Sequence, residues 1–153
     1  ENAEVHRFLV LHGKVDSKGA AQLEVELESV NSSIPLRDER MRNQLFEIKT
    51  FPDALISAQI NLQPINDLAP GAQLELRLPL NVTLHGKTQT YSAELLATRL
   101  DDRRFQVVTL EPVVLHAEDF DLAPGVAALR EAAGLKSISL SVPVGAVLIF
   151  TAR

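Results

Sequence analysis

The chain has 153 residues, 15 basic and 20 acidic side chains, a formal charge of −5 and no cysteine. A single domain spanning residues 1–153 is expected, large enough to bury a core without a disulfide or metal staple. The acidic balance argues against nucleic acid as a partner, the lack of cysteine excludes a thiol nucleophile and a disulfide framework, and no apolar run reaches the ~18 residues of a membrane-spanning helix.

Alternation of apolar and polar residues dominates the chain, and period two marks a strand with one buried face and one wet face. Glu4–Val15 is apolar enough for a strand, though its phase is less clean, and Asp16–Gly19 carries turn residues. Ala21, Leu23, Val25 and Leu27 then alternate with Gln22, Glu24, Glu26 and Glu28. Leu36–Phe46 breaks the rhythm: Met41 and Leu45 lie four apart, with Arg, Asp and Glu around them, which predicts a short amphipathic helix. Alternation resumes with Ile56, Ala58, Ile60 and Leu62, and Asn66–Gly71 reads as the next turn.

In Gln73–His85 every even position is apolar, from Leu74 to Leu84. At about 3.3 Å per residue this strand spans roughly 40 Å, longer than a sandwich strand and suited to a barrel. Pro79 has no N–H for a ladder and predicts an edge or a bulge there. After a turn at His85–Lys87, Tyr91, Ala93, Leu95 and Ala97 alternate again, and Leu100–Arg103 is a further turn. Phe105–Leu115 reads as a strand. Pro124–Leu135 reads as a helix, with Val126, Leu129 and Ala133 on one side, a first-turn proline and a terminating Gly134. Ile138, Leu140, Val142 and Val144 form the last alternating stripe. About seven strands joined mostly by short turns predict an antiparallel sandwich or barrel.

Motifs for chemistry are sparse. His6, His12, His85 and His116 show no HxH or HExxH spacing, and a zinc site needs three or four converging ligands. There is no Gly-x-Ser-x-Gly elbow and no glycine-rich phosphate loop. Neither a catalytic nor a metal residue is therefore assigned. The cluster Arg37, Asp38, Glu39, Arg40 and Arg42 fits either a polar mouth that meets an anionic head group or a set of bonds that pins a loop. The apolar stripes fit either a packed core or the lining of a cavity, since both use the same positions.

Particular strings narrow the choice. Glu28–Arg42 (ESVNSSIPLRDERMR) runs into Gln44–Pro52 (QLFEIKTFP), followed by Leu84-His85-Gly86 at a strand end and Ala117–Leu122 (AEDFDL). In this order they resemble the YceI-like family over essentially the whole chain. The most specific elements are the Arg37-Asp38-Glu39-Arg40 helix start and the Phe51-Pro52 pair. Where the family commonly has Asp-Phe-Gly, this chain has Asp119-Phe120-Asp121.

The resemblance implies an antiparallel lipocalin-like β-barrel with two short helices. It also implies that the chain opens inside the family's first hairpin, so that either an N-terminal strand is missing or the sheet is left open. The implied role is non-enzymatic: binding, transport or storage of an isoprenoid quinone or polyprenyl lipid in the periplasm, as a secreted protein with no cofactor besides that lipid. Placed on such a barrel, the alternation turns Leu23, Val25, Ile56, Ile60, Leu76, Leu80, Val82, Phe105, Val107, Leu140 and Val142 inward. Phe46, Phe51, Phe120 and Leu129 would close the ends, and Arg37, Asp38 and Arg40 would stand at the entrance. The competing reading is a filled barrel that acts through its outer surface on a membrane redox protein. Monomer and homodimer both remain open.

Overall fold

In the computed structural model, which describes residues 6–152, the alternating segments form one curled sheet. The elements run in chain order as follows. First come β1 (Arg7–Phe8), β2 (Leu11–Val15), β3 (Ala20–Glu26), a 3₁₀ turn (Leu27–Ser29) and β4 (Val30–Asn31). Helix α1 (Pro35–Arg40) continues into a π-helical segment (Met41–Phe46), followed by β5 (Asp53–Gln59), α2 (Leu62–Asn66), β6 (Gln73–Leu84), β7 (Lys87–Arg99) and β8 (Arg104–Thr109). The chain ends with β9 (Val113–His116), a 3₁₀ turn (Ala117–Phe120), α3 (Ala123–Ala132), β10 (Ser141–Val144) and β11 (Val147–Thr151). Glu4 and Val5, the start of the first predicted strand, lie outside the described residues.

Among the described residues, seven strands form the wall in the order β2-β3-β5-β6-β7-β8-β11, every neighbour antiparallel. The sheet curls until β2 and β11 come together, giving a nearly closed barrel. Its longest ladder is the β6–β7 hairpin, from Gln73 opposite Thr98 to Leu84 opposite Lys87. Pro79 lies within that ladder, opposite Ser92. It is on the other side that the proline acts: the β5–β6 ladder runs only from Leu55–Thr83 to Ser57–Asn81 and stops short of it.

The last third of the chain departs from the alternation reading. The predicted strand at Phe105–Leu115 breaks between β8 and β9, at a segment containing Pro112. Strand β9 leaves the wall and pairs with β10 in a separate two-stranded arm. The seventh wall strand is therefore β11, a continuous apolar run, and not the alternating stripe at Ile138–Val144. As an edge strand β11 leaves Val147 and Ile149 68% and 58% exposed on its outer side, so it carries no wet-face pattern to read. A third helix, α2, joins the two predicted ones: Asn61 caps it by accepting the Gln63 N–H at 3.3 Å, and Ile65 anchors it as a buried side chain.

The best-packed apolar side chains sit at one end of the barrel. One cluster is Leu27, Val30, Met41 and Phe46; the other is Val82, Ala117, Phe120 and Leu122. Both lie at the end carrying the β6–β7 turn, where the helical segments fold over the opening. Helix α3 meets the π-helical segment at Gly125, where an added Cβ would lie 2.9 Å from the Gln44 carbonyl oxygen and 3.0 Å from the Leu45 Cα. Asp121 closes the 3₁₀ turn in the left-handed region, at φ 55° and ψ 32°. That is the position at which the related string has glycine.

Two thermal melts test these points. Gly125→Ala should lower Tm by about 2–10 °C, because backbone atoms must move to admit the methyl group. Asp121→Gly should raise Tm by roughly 2–4 °C through relief of left-handed strain. Its ion pair with Lys87 is exposed and contributes little.

Candidate functional site

Residues that face each other across a ladder share a face of the sheet, so register identifies the interior. Leu23 faces Ile56, and Ile56 faces Val82. Leu80 faces Tyr91, and Leu76 faces Leu95. Ala97 faces Val107, which faces Leu148. Arg99 faces Phe105, which faces Phe150. The opposite face carries charge, including Glu24, Glu75 and an Arg77–Glu94 ion pair at 3.5 Å.

This interior is not filled to the density of an ordinary core. Val82, Leu78, Ala93 and Ala97 are buried, but Leu23, Val25, Ile56, Leu76, Leu80, Leu95, Val107 and Leu148 remain only half-buried. The molecule exposes 9927 Å², whereas a closely packed monomer of 16.8 kDa exposes about 7,600 Å². The half-buried inner stripe, the seam between β2 and β11 and the β9–β10 arm contribute to the excess.

The helical end is closed. Phe120 is fully buried and stacks on Tyr91 with ring centres 6.2 Å apart. Gln89 donates to the Asp119 carbonyl at 3.1 Å, and the Tyr91 hydroxyl lies 3.4 Å from the Asp119 carboxylate. Burial, reinforced by that carboxylate, raises the Tyr91 phenol above its usual pKa. His85 ties this end together: Nδ1 meets the Phe120 carbonyl at 2.9 Å and Nε2 meets Glu47 at 2.5 Å. Both ring nitrogens thus face oxygen atoms of neighbouring segments.

At the opposite end stands Arg99, on the inner face at the end of β7. Its guanidinium lies 4.8 Å from the centre of the Phe105 ring and donates to the carbonyls of Asp101 and Asn66, each at 3.0 Å. Outside it lies a broad, shallow hollow of about 730 Å³, lined mainly by polar residues such as Lys18, Gln59, Asn61, Gln63 and Asn66.

The Arg37–Arg42 cluster holds the loop before α1. The buried Asp38 carboxylate accepts from the Ser32 hydroxyl at 2.5 Å and from the Ser32 N–H at 2.9 Å. Arg37 donates to the Ser32 hydroxyl and carbonyl oxygens, each at 2.9 Å. Arg42 donates to the Glu28 carbonyl at 2.7 Å, and Arg40 reaches the Ala132 carbonyl at 3.5 Å. The Ser32 hydroxyl bond is the largest influence on Asp38. With the Ser32 N–H and the charges of Arg42 and Arg37, it outweighs burial and holds the carboxyl below its usual pKa.

The expected interior residues thus fall into separate places. Leu23, Val25, Ile56, Leu76, Leu80, Val82, Phe105 and Val107 share the inner face of the wall. Phe46, Phe120 and Leu129 belong to the helical end, and the Phe51 ring packs edge-on against His85 there, with centres 4.6 Å apart. Ile60 lies beyond β5, beside the polar hollow. Leu140 and Val142 are not in the wall: they stand 37% and 46% exposed, with Val142 in the β9–β10 arm. Parity alone did not single out Leu148 and Phe150, or the polar groups of Gln89, Tyr91, Arg99 and Asp119. The apolar run Val147–Phe150 was the available signal for the first two.

The sequence pattern of the YceI-like domain matches residues 4–149. Among solved structures, the chain is similar to a polyisoprenoid-binding domain from Saccharophagus degradans implicated in plant cell wall breakdown, with 36% identity, a TM-score of 0.95, and coverage of 98% of this chain and 86% of that one. It is similar in fold to the Campylobacter jejuni YCEI protein, at 10% identity and TM-score 0.73, covering 100% of this chain and 87% of that one. Burkholderia cenocepacia BcnA also shares the fold, at 16% identity and TM-score 0.65, covering 92% of this chain and 82% of that one. No match was found among curated proteins.

The Asp38 geometry sets a pH dependence. Because the folded state lowers this pKa, the unfolded state binds more protons in acid. The stabilisation is present above the unfolded value, about 4, and is lost as pH falls through the folded value. Asp38→Asn should lower Tm at neutral pH, at a cost of about 1–3 kcal/mol, and should flatten the fall in Tm below about pH 4. Melts across that range check both effects.

Proposed function

The chain belongs to the YceI-like family, and on that premise we propose that it binds a long isoprenoid chain inside the barrel, as a non-enzymatic carrier or store. The observation that carries this reading is the half-buried apolar stripe along the middle of the inner wall, where the facing residues are apolar while the outer face carries charge such as Glu75, Arg77 and Glu94. The polyisoprenoid-binding relative at 36% identity, matched over 98% of this chain, supports the same ligand class.

The physics requires no directed chemistry. Burying roughly 400 Å² of hydrocarbon contributes about 10 kcal/mol gross, part of which offsets the immobilisation of ligand and side chains. The proposed lining is Leu23, Ile56, Leu76, Leu80, Val107 and Leu148, with Tyr91 and Phe120 at the closed end. The ligand is either an isoprenoid quinone or a polyprenyl lipid, and the proposed compartment is the periplasm.

Native mass spectrometry of the purified protein, with organic extraction in parallel, tests the reading. One isoprenoid-mass ligand per chain is the expected result. A ligand-free mass that persists after addition of both a quinone and a polyprenyl lipid would reject it, in favour of a module acting through its outer surface. Leu80→Trp should weaken uptake by about tenfold or more, or roughly 1.4 kcal/mol, while the fold survives. Unchanged uptake would remove Leu80 from the lining.

A further inference from the structure

The inward row of β7 runs Tyr91, Ala93, Leu95, Ala97 and then Arg99. A cation thus ends a row that is otherwise apolar from Tyr91 onward. Across the sheet its neighbours are Phe105 and Phe150, so two strands, β8 and β11, separate it from the edge of the wall. The residues that hold it, Asn66, Asp101 and Phe105, belong to α2, the β7–β8 turn and β8.

Arg99 is incompletely matched. A guanidinium has five N–H donors and a full charge. Here the two terminal nitrogens meet carbonyl oxygens, which are dipoles and not charges. The Asp101 carboxylate is turned the other way, to the Arg104 Nε at 2.7 Å and to the N–H groups of Arg103 and Arg104. No carboxylate pairs with Arg99 among the described residues, and its Nε is buried without a hydrogen-bond partner. A buried donor left unpaired, on a cation without a counter-charge, is a cost that a folded chain normally avoids.

The surroundings favour an anion. Asn66, whose carbonyl takes one Arg99 bond, also lines the polar hollow of about 730 Å³ outside this end. Lys18 adds a second cation to that lining, beside the amides of Asn61 and Gln63 and one acidic side chain, Asp67. The helical end offers less. Phe120 is fully buried there, and Gln89 and the Tyr91 hydroxyl are already directed to Asp119.

We infer that Arg99 anchors the ligand's head group, and that this head group is a phosphate ester seated at the α2 end, with the isoprenoid tail running along β7 toward Phe120. This rests on the carrier reading above. From Arg99 to Tyr91 the row covers roughly 26 Å, lined by apolar side chains that bind any isoprenoid tail alike. Discrimination between head groups therefore falls to the polar end. There a phosphate oxygen supplies both the missing acceptor and the missing negative charge, whereas an alcohol or a quinone supplies only an acceptor.

Geranylgeranyl monophosphate, geranylgeraniol and a benzoquinone bearing the same chain test the inference, each competing with a dansyl-labelled polyprenol for the protein. The phosphate should bind about tenfold or more tightly than the other two, or roughly 1.4 kcal/mol. That preference should shrink as salt is raised, a test that needs no variant. Arg99→Gln should bring the ratio of phosphate to alcohol affinity to about one. A residue that only braced the rim would change both affinities together and keep the ratio, which would overturn the anchor. Equal wild-type affinity for all three ligands, or preference for the quinone, would overturn the phosphate site while leaving the carrier reading intact. Failure of the wild-type protein to bind the polyprenol or any of the three would overturn both.

Discussion

An odd number of antiparallel strands cannot close into a continuously hydrogen-bonded antiparallel barrel, and that constraint shapes the wall formed by the described residues. Among the described residues seven strands form the wall, and β2 and β11 meet in parallel and without a ladder. The sheet is curled enough for Gly13 to approach Phe150, so the interior is shielded along most of its circumference. It is still not a cross-linked cylinder. Its apolar face is enclosed without being compressed, which leaves many inward side chains only half-buried.

Packing density is found at the helical end. There α1, the π-helical segment, the second 3₁₀ turn and α3 bring Met41, Phe46, Phe120 and Leu122 together over the β6–β7 turn. Polar contacts hold these pieces in register. Ser32 and Asp38 fix the loop before α1, Gly125 admits the close approach of α3, and His85 links the end of the π-helical segment to the Phe120 backbone. The division of labour is physical. Density at one end supplies stability, while the inner stripe along the wall stays only half-buried.

Much of the wall is legible in the sequence. Period two in Gln73–Leu84 and in Tyr91–Ala97 identified both the strands and their inward faces, because a strand with one wet side must alternate. The signal failed where that premise failed. Strand β11 is apolar on both faces, so Val147–Phe150 carries no alternation. The stripe at Ile138–Val144 does alternate, but β10 is spent on an arm with β9, and Leu140 and Val142 end up outside the wall. Local periodicity reports a two-sided environment without naming the partner strand. The charged string at Arg37–Arg42 was ambiguous for a related reason. Sequence shows that the charges are close, while only the fold shows that Ser32 lies within reach of both Arg37 and Asp38.

The strand class, the inward parity of most of the wall, the two helices over the barrel end and the resemblance to the YceI-like family all depend on local order along the chain, and so could be read from it. Which strands share the wall, how its edges meet among the described residues and how far the inward side chains are buried came only from the folded arrangement. Those are properties of pairing and closure, which depend on the sum of all seven strands and are written in none of them separately.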